Sequence, residues 1–299
     1  MAKQITTAQF FRLFPNDEVC LQHLFDVRFG QGFACPSCER PSKWFRIKAE
    51  RAYSCQWCGH HLHPTVGTPF EQTRTPLQLW FYAIHLFTTT RHGVSGKELE
   101  RQLGVTYKTA WRMAKLIREH MADVDGNEPL GGFTKQVEVD ETFVGGTFQR
   151  GTRGGDPAEG KTILFGMMER GGKVIAEVVA NRKRGTLLPL LKGNVKAHSI
   201  VHTDEHTAYL TIAAEGFFHE TVNHGAGQYV SAKGSSVNSI EGFWRHLKCS
   251  IAGTHISVSP KYLGRYSKEF EYRFNRRNDP ASMLPELLST FRPLSSKCG

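Results

Sequence analysis

The sequence predicts a multidomain α/β chain: a small cysteine-bearing ribbon and helices first, then a mixed five-stranded sheet flanked by helices. Three observations predict it. Two C-x-x-C pairs, Cys35/Cys38 and Cys55/Cys58, stand close together near the start. Helix-period apolar residues follow from 75 to 121. Beyond a Gly/Pro/Asp linker at 123–132 the pattern turns to short strands, three in succession and then alternating with helices.

Residues 1–30 carry mixed helical periodicity (DEVCLQHLFDVRF) and form an N-terminal helical segment. Residues 31–68 hold the ribbon. A helical region covers 69–125. It opens with TPLQLWFYAIHLFTTT, where Thr75 is placed as N-cap and Pro76 at the first helical position. SGKELERQLGVTYKTAWRMAKLIREHM then reads as two helices around a Gly-Val turn. A strand-bearing α/β domain spans 133–280 and a C-terminal tail 281–299. KQVEVDETFVGG alternates apolar and polar residues, and KTILFGMMER and GKVIAEVVA form a hairpin across Gly171-Gly172. TLLPLLKGNV is a helix, HSIVHTDEH a strand, TAYLTIAAEGF a helix and FHETVNH a fifth strand. VNSIEGFWRHLK and PKYLGRYSKEFEYRFNRR close the domain as helices. Three antiparallel strands followed by α/β units are the layout of an RNase H-like domain.

The bulk properties exclude some classes and favour one. The 299 residues are 39% hydrophobic, and no apolar run approaches the roughly 20 residues of a membrane span. The N-terminus lacks the apolar core and cleavage site of a signal peptide, so a cytoplasmic location is expected. Lys and Arg total 38 against 28 Asp and Glu, a net +10, which points to an anionic partner such as nucleic acid. From Lys233 to Arg277 there are nine Lys/Arg and three Asp/Glu, so the excess is concentrated there.

The two cysteine pairs have 16 residues between them, inside the spacing window of a four-cysteine zinc site. Four thiolates close a tetrahedral shell, so Zn²⁺ at Cys35, Cys38, Cys55 and Cys58 is expected to be structural. A redox C-x-x-C would need a βαβ context that is missing. His60, His61 and His63 lie nearby and are expected to face solvent or DNA. In the helix pair, Leu99 and Leu103 mark one buried face and Ala110, Met113 and Ile117 the next. Thr106, Tyr107, Lys108 and Arg112 are left exposed at the start of the second helix. A recognition helix presents its side chains to the major groove from that place; a plain α-hairpin is the alternative.

Three acids occupy places where such a fold performs chemistry. Asp140 stands mid-strand, Asp204 ends the strand SIVHTD, and Glu241 opens a long helix. The first and fourth strands of this sheet are neighbours, so the three are expected to converge. Clustered hard oxygen ligands suit Mg²⁺, and a two-ion site activates water or a 3′-hydroxyl and stabilises the leaving oxygen of a phosphodiester. Glu141 should point away from Asp140 on a strand, behind the ligands rather than among them. His202 and His206 flank Asp204 and leave a His/Asp phosphoesterase centre as an alternative. Glu241 and Lys248, seven residues apart, share a helix face. They read either as a solvated charge pair or as a metal ligand with a phosphate contact.

The ordered blocks CxxC…CxxC, VEVDET, HTDEHTAY, VNSIEGFWRHLK and YLGRYSKEFEYRFNRR resemble the DDE transposases of bacterial insertion sequences, in the ISXO-like branch with an N-terminal zinc ribbon. The resemblance covers about residues 15–280. It implies an RNase H-like catalytic domain using two Mg²⁺ ions, with Mn²⁺ as a substitute. It also implies cutting and joining of double-stranded DNA at terminal inverted repeats and at a target. Asp140 and Asp204 match the family's two aspartates, Glu241 its third acid, and Lys248 the basic residue that follows. Some members place an asparagine near the third acid, and Asn238 lies one turn before Glu241. A carboxylate binds Mg²⁺ more strongly than an amide, so Glu241 is expected as ligand and Asn238 as its helper. Arg245, Arg276 and Arg277 are expected on DNA phosphates. Joining two ends implies a homodimer or larger assembly, nucleoid-associated in a bacterial cytoplasm. A catalytically silent DNA-binding regulator and another RNase H-like nuclease, such as a junction resolvase, remain the alternatives.

Overall fold

The structure is a computed structural model that describes residues 3–126, 128–145, 160–222 and 237–291. The end of the expected fifth strand (223–224), Lys233, Asn127 and Cys298 lie outside them. The chain divides into two compact units, one formed by residues up to Val124 with those from Asn278 onward, the other by Asp125–Arg277.

In the first unit, α1 (Thr7–Leu13) and α2 (Asp17–Arg28) precede a small antiparallel sheet of β1 (Trp44–Ile47), β2 (Ala52–Cys55) and β3 (His61–Leu62). α3 is Leu77–Thr89, so Pro76 and not Thr75 takes the cap position. Pro76 has no N–H to satisfy. The first-turn N–H of Gln78 instead finds the Asp17 carboxylate at 3.0 Å, a long-range cap. α4 (Gly96–Leu103) ends on Gly104, which adopts the left-handed conformation (φ 64°) that closes the turn into α5 (Tyr107–Asp125). α5 runs past the expected end at 121. α9 (Met283–Ser289) buries Met283, Leu284, Leu287 and Leu288, and His23 and His120 meet the carbonyls of Leu288 and Leu287 at 3.1 and 2.8 Å.

The second unit is built on a five-stranded mixed sheet. Its strands are β4 (Gln136–Val144), β5 (Thr162–Glu169), β6 (Val174–Val179), β7 (Ile200–Thr203) and β8 (Phe218–Thr221), in the order β6-β5-β4-β7-β8. β4, β5 and β6 are antiparallel neighbours, while β7 runs parallel to β4 and β8 parallel to β7. That is the RNase H-like order. Both faces are covered. Val137 and Val139 pack with α6 (Arg184–Asn194) and with Tyr209 and Ile212; Val144 and Leu164 pack with α7 (Asn238–Ser250) and α8 (Pro260–Asn275).

The expected helix 207–217 is instead two 3₁₀ turns, Thr207–Tyr209 and Ile212–Glu215, separated by Leu210 and Thr211. Ala208, Tyr209 and Ile212 are all buried, and the short turns let this brief crossover bury them before β8 begins. The edge of β6 is shielded by side chains of α8. The Glu271 carboxylate accepts the Ala176 N–H at 2.9 Å, and Asn275 engages the Val174 N–H and C=O at 2.7 and 3.0 Å. These bonds satisfy edge groups that would otherwise invite another strand.

Candidate active site

The site begins where two strands part. The β4–β7 ladder ends at Glu138↔His202, so Asp140 and Glu141 on β4 and Asp204 just past β7 border the gap beyond it. One carboxylate oxygen from each of Asp140, Glu141 and Asp204 lies within 4.8 Å of the others. The alternation of β4 puts Glu141 on the opposite face from Asp140, yet its longer side chain reaches the same gap. The buried Tyr209 hydroxyl donates to Glu141 Oε1 and holds it there. Sequence periodicity therefore missed Glu141, because it describes where a Cβ starts and not where a four-bond side chain ends.

Each acid is anchored. The indole N–H of Trp244 donates to Asp140 Oδ2 at 3.1 Å, and the His206 N–H donates to Asp204 Oδ1 at 3.0 Å. Trp244 reaches Asp140 because Gly166, paired opposite Asp140, carries no side chain. A Cβ there would stand 2.4 Å from Trp244 Cζ2 and 2.9 Å from Ile240 Cδ1. Glycine inside a strand is the sequence signal for such an approach.

Burial pushes the Asp140 carboxyl up to about 6, with the charges of Asp204 and Glu241 adding to it against the Glu141 backbone and Trp244 hydrogen bonds. Burial likewise raises Glu141 to about 7, with Asp204 and Asp140 adding while Tyr209 and Arg182 oppose. Crowded, buried carboxylates that hold protons this readily suit a divalent cation.

Glu241 stands outside the 4.8 Å set, exposed on the first turn of α7, near enough for its charge to act on Asp140. Asn238, the first residue of α7, is exposed. Lys248 is exposed on the last turn; neighbouring atoms strip part of its hydration and lower its pKa, Asp140 opposes this, and Lys161 adds to it. His202 is buried, with Nε2 3.2 Å from Gln136 Oε1 and Nδ1 3.6 Å from Glu220, and His206 Nδ1 accepts the Ala208 N–H. Among the described residues the acid cluster groups three carboxylates and no histidine.

One residue that the sequence did not single out sets the helix over the strand. Glu138, 0% exposed on β4, accepts the N–H groups of Ser239 and Ile240 at 2.9 and 3.0 Å and the Ser239 hydroxyl at 3.1 Å. Arg170 Nε binds the same carboxylate at 2.8 Å. A strand carboxylate thus caps α7 from across the core, where its charge also meets the positive end of the helix.

The arginines of the basic tail divide. Arg245 is exposed. Arg276 is turned inward: its guanidinium lies 2.6 Å from Asp125 Oδ1 and 3.8 Å from the Tyr272 ring centroid. Without DNA this guanidinium is held by Asp125 and Tyr272. Arg277 is exposed but donates to the carbonyls of Gly172 and Phe274, both at 2.9 Å.

In the other unit the four ribbon cysteines lie within 4.8 Å of one another, with Cys35–Cys58 and Cys38–Cys55 sulfurs 3.6 and 3.9 Å apart. A tetrahedral Zn–S shell at about 2.3 Å places sulfurs about 3.8 Å apart, so the set fits zinc. Burial raises the Cys55 thiol, but the Ser42 hydroxyl at 3.3 Å and backbone N–H groups outweigh it and bring it down to about 6. Thr106, Tyr107, Lys108 and Arg112 are all exposed at the start of α5, and Lys97 Nζ sits 4.7 Å over the Tyr107 ring. Among the described residues no helix is long and apolar enough to cross a membrane.

Residues 129–275 match the model of the ISXO2-like transposase domain, and residues 15–61 match that of the transposase zinc-ribbon domain. The chain is 28% identical over 280 residues to a protein in transposable element ISH50 of Halobacterium salinarum, covering 88% of this chain and 92% of the relative. It is 33% identical over 103 residues to a transposase-like protein of Haemophilus influenzae, covering 34% of this chain and 81% of the relative.

Proposed function

The chain belongs to the ISXO2-like (IS1595) transposase family, and from that premise we propose a DDE-type enzyme that cuts and joins DNA at the ends of its element. The observation that carries this reading is the meeting of Asp140, Glu141 and Asp204 within 4.8 Å at the splayed end of β4 and β7. Asp140 and Asp204 supply two carboxylates to the metal. Glu141 joins them, and Glu241 adds a fourth from α7, with Asn238 as helper one turn earlier. Four negative charges match two Mg²⁺ or Mn²⁺ ions. Such ions, when bound, lower the pKa of an attacking water or 3′-hydroxyl and stabilise the leaving oxygen.

The chain's own groups do the positioning. Trp244, Tyr209 and the His206 N–H hold three carboxylates in fixed directions, and Glu138 holds the helix that carries Glu241. Lys248 and Arg245 bind DNA backbone beside the cluster from the exposed face of α7, and Arg277 binds it further along. The zinc ribbon and the Thr106–Arg112 face of α5 bind the terminal inverted repeats, with Zn²⁺ holding the ribbon closed. Two ends and a target require two chains, so the working form is a homodimer or larger.

The test is a labelled end of the element incubated with protein and Mg²⁺, beside Asp140→Asn. Strand cleavage followed by joining in the wild type, and neither in the variant, supports the reading. An inert wild type that still binds the end would make the protein a regulator. Resolution of four-way junctions without end joining would make it a resolvase.

A further inference from the structure

A cleft of about 530 Å³ lies beside the acid cluster, lined in part by Asn181, Arg182, Lys183, Arg184, His206 and Thr207. Among the described residues no Asp or Glu lines it. It borders the cluster directly: the His206 N–H is bound to Asp204 at 3.0 Å, and the charge of Arg182 acts on Glu141. Three consecutive cations follow β6 and lead into α6. Arg182 is steadied over the Phe143 ring at 5.1 Å, and Arg184 lies 3.4 Å from Glu215. Lys183 is exposed and has no acidic partner among the described residues. The first turn of α6 opens on the same loop without a side-chain cap.

We infer that this cleft binds the phosphodiester backbone of a DNA strand, an assignment that rests on the transposase reading for its purpose. The acid cluster repels DNA until metal arrives. Cations in an adjoining concave wall offset that repulsion and fix the strand's register without reading its bases. Of the three cations in this wall, Arg182 acts on the cluster, while Lys183 is exposed along the cleft. The sequence of the tail drew attention to residues 233–277, whereas this second basic site stands earlier, at 182–184.

The test is anisotropy of a fluorescent DNA duplex on the full zinc-loaded chain without Mg²⁺, titrated at salt from about 50 to about 200 mM. Each phosphate contact contributes about 0.9 to the slope of log affinity against log salt, equal to about fivefold in affinity at roughly 0.15 M. Lys183→Gln is expected to lose about one contact, Arg182→Gln/Lys183→Gln about two, and Lys183→Arg none. Unchanged slopes in both glutamine variants, with melting temperatures also unchanged, would overturn the assignment. The transposase reading is scored separately by Mg²⁺-dependent cleavage in the wild type. A reduced slope with an inert wild type would leave the DNA site standing and remove the enzyme; a cleaving wild type with unmoved slopes would do the reverse.

Discussion

Replacing Glu138 should damage stability and catalysis separately, and the structure sets the size of each effect. Its carboxylate takes two main-chain N–H groups and a hydroxyl from the start of α7, and one nitrogen from Arg170. Glu138→Ala strips all four donors at once in a place that is 0% exposed. Breaking a buried charge pair costs about 3–5 kcal/mol. Arg170 keeps 25% of its side chain in solvent and also reaches Gln136, so the lower end, about 3 kcal/mol, applies. Glu138→Gln keeps the shape and one acceptor but turns an NH₂ toward helix N–H groups, at about 1–3 kcal/mol. Urea unfolding measures both. Cleavage by the folded fraction then isolates geometry, because a 1 Å shift of the α7 start costs about a hundredfold in rate. Variants with wild-type unfolding midpoints and wild-type cleavage would refute the argument that a strand carboxylate positions this helix.

Gly166→Ala should act on the same interface from β5. Its Cβ collides with Trp244 and Ile240, so about 1–3 kcal/mol of stability and most cleavage should be lost, read by unfolding and by the nicking assay. Cys35→Ser should reduce bound zinc below one per chain by metal analysis and loosen the ribbon to proteolysis, with Asn238–Ser250 unaffected in hydrogen exchange. The metal-free protein should be sensitive to pH. Burial raises Asp140 from 3.8 to about 6 and Glu141 from 4.5 to about 7. The folded state therefore holds these protons more tightly than the unfolded one. The stability they confer is present below those starting values and is lost as pH rises through about 6 and about 7. Melting temperatures with and without saturating Mg²⁺ check it; the metal should flatten the decline.

The parts legible in the sequence were those written locally. The Cys35–Cys58 spacing, the Gly104 turn between α4 and α5, and the alternation of β4 each follow from a few neighbouring residues. The strand succession gave the sheet order, because three adjacent strands and parallel crossovers leave few topologies. Long-range partners were not legible. Glu138 and Ser239 stand 101 residues apart, and nothing beside either announces the cap. Asp17 capping α3 across 61 residues is the same case. Arg276 pairs with Asp125, 151 residues earlier, and its place in a basic run gives no hint of that partner. Tyr209 lies in a segment expected to be a helix, and its neighbours in sequence do not announce the hydroxyl's bond to Glu141, 68 residues earlier.

The central claim is that Asp140, Glu141 and Asp204 form one cation site. Mn²⁺ binding to the zinc-loaded full chain, followed by the paramagnetic resonance of free Mn²⁺, tests it most directly. Asp140→Asn and Asp204→Asn should each weaken binding by at least about tenfold, since even outer-shell changes cost that much, with zinc content unchanged. Wild-type Mn²⁺ affinity in both variants would contradict the account.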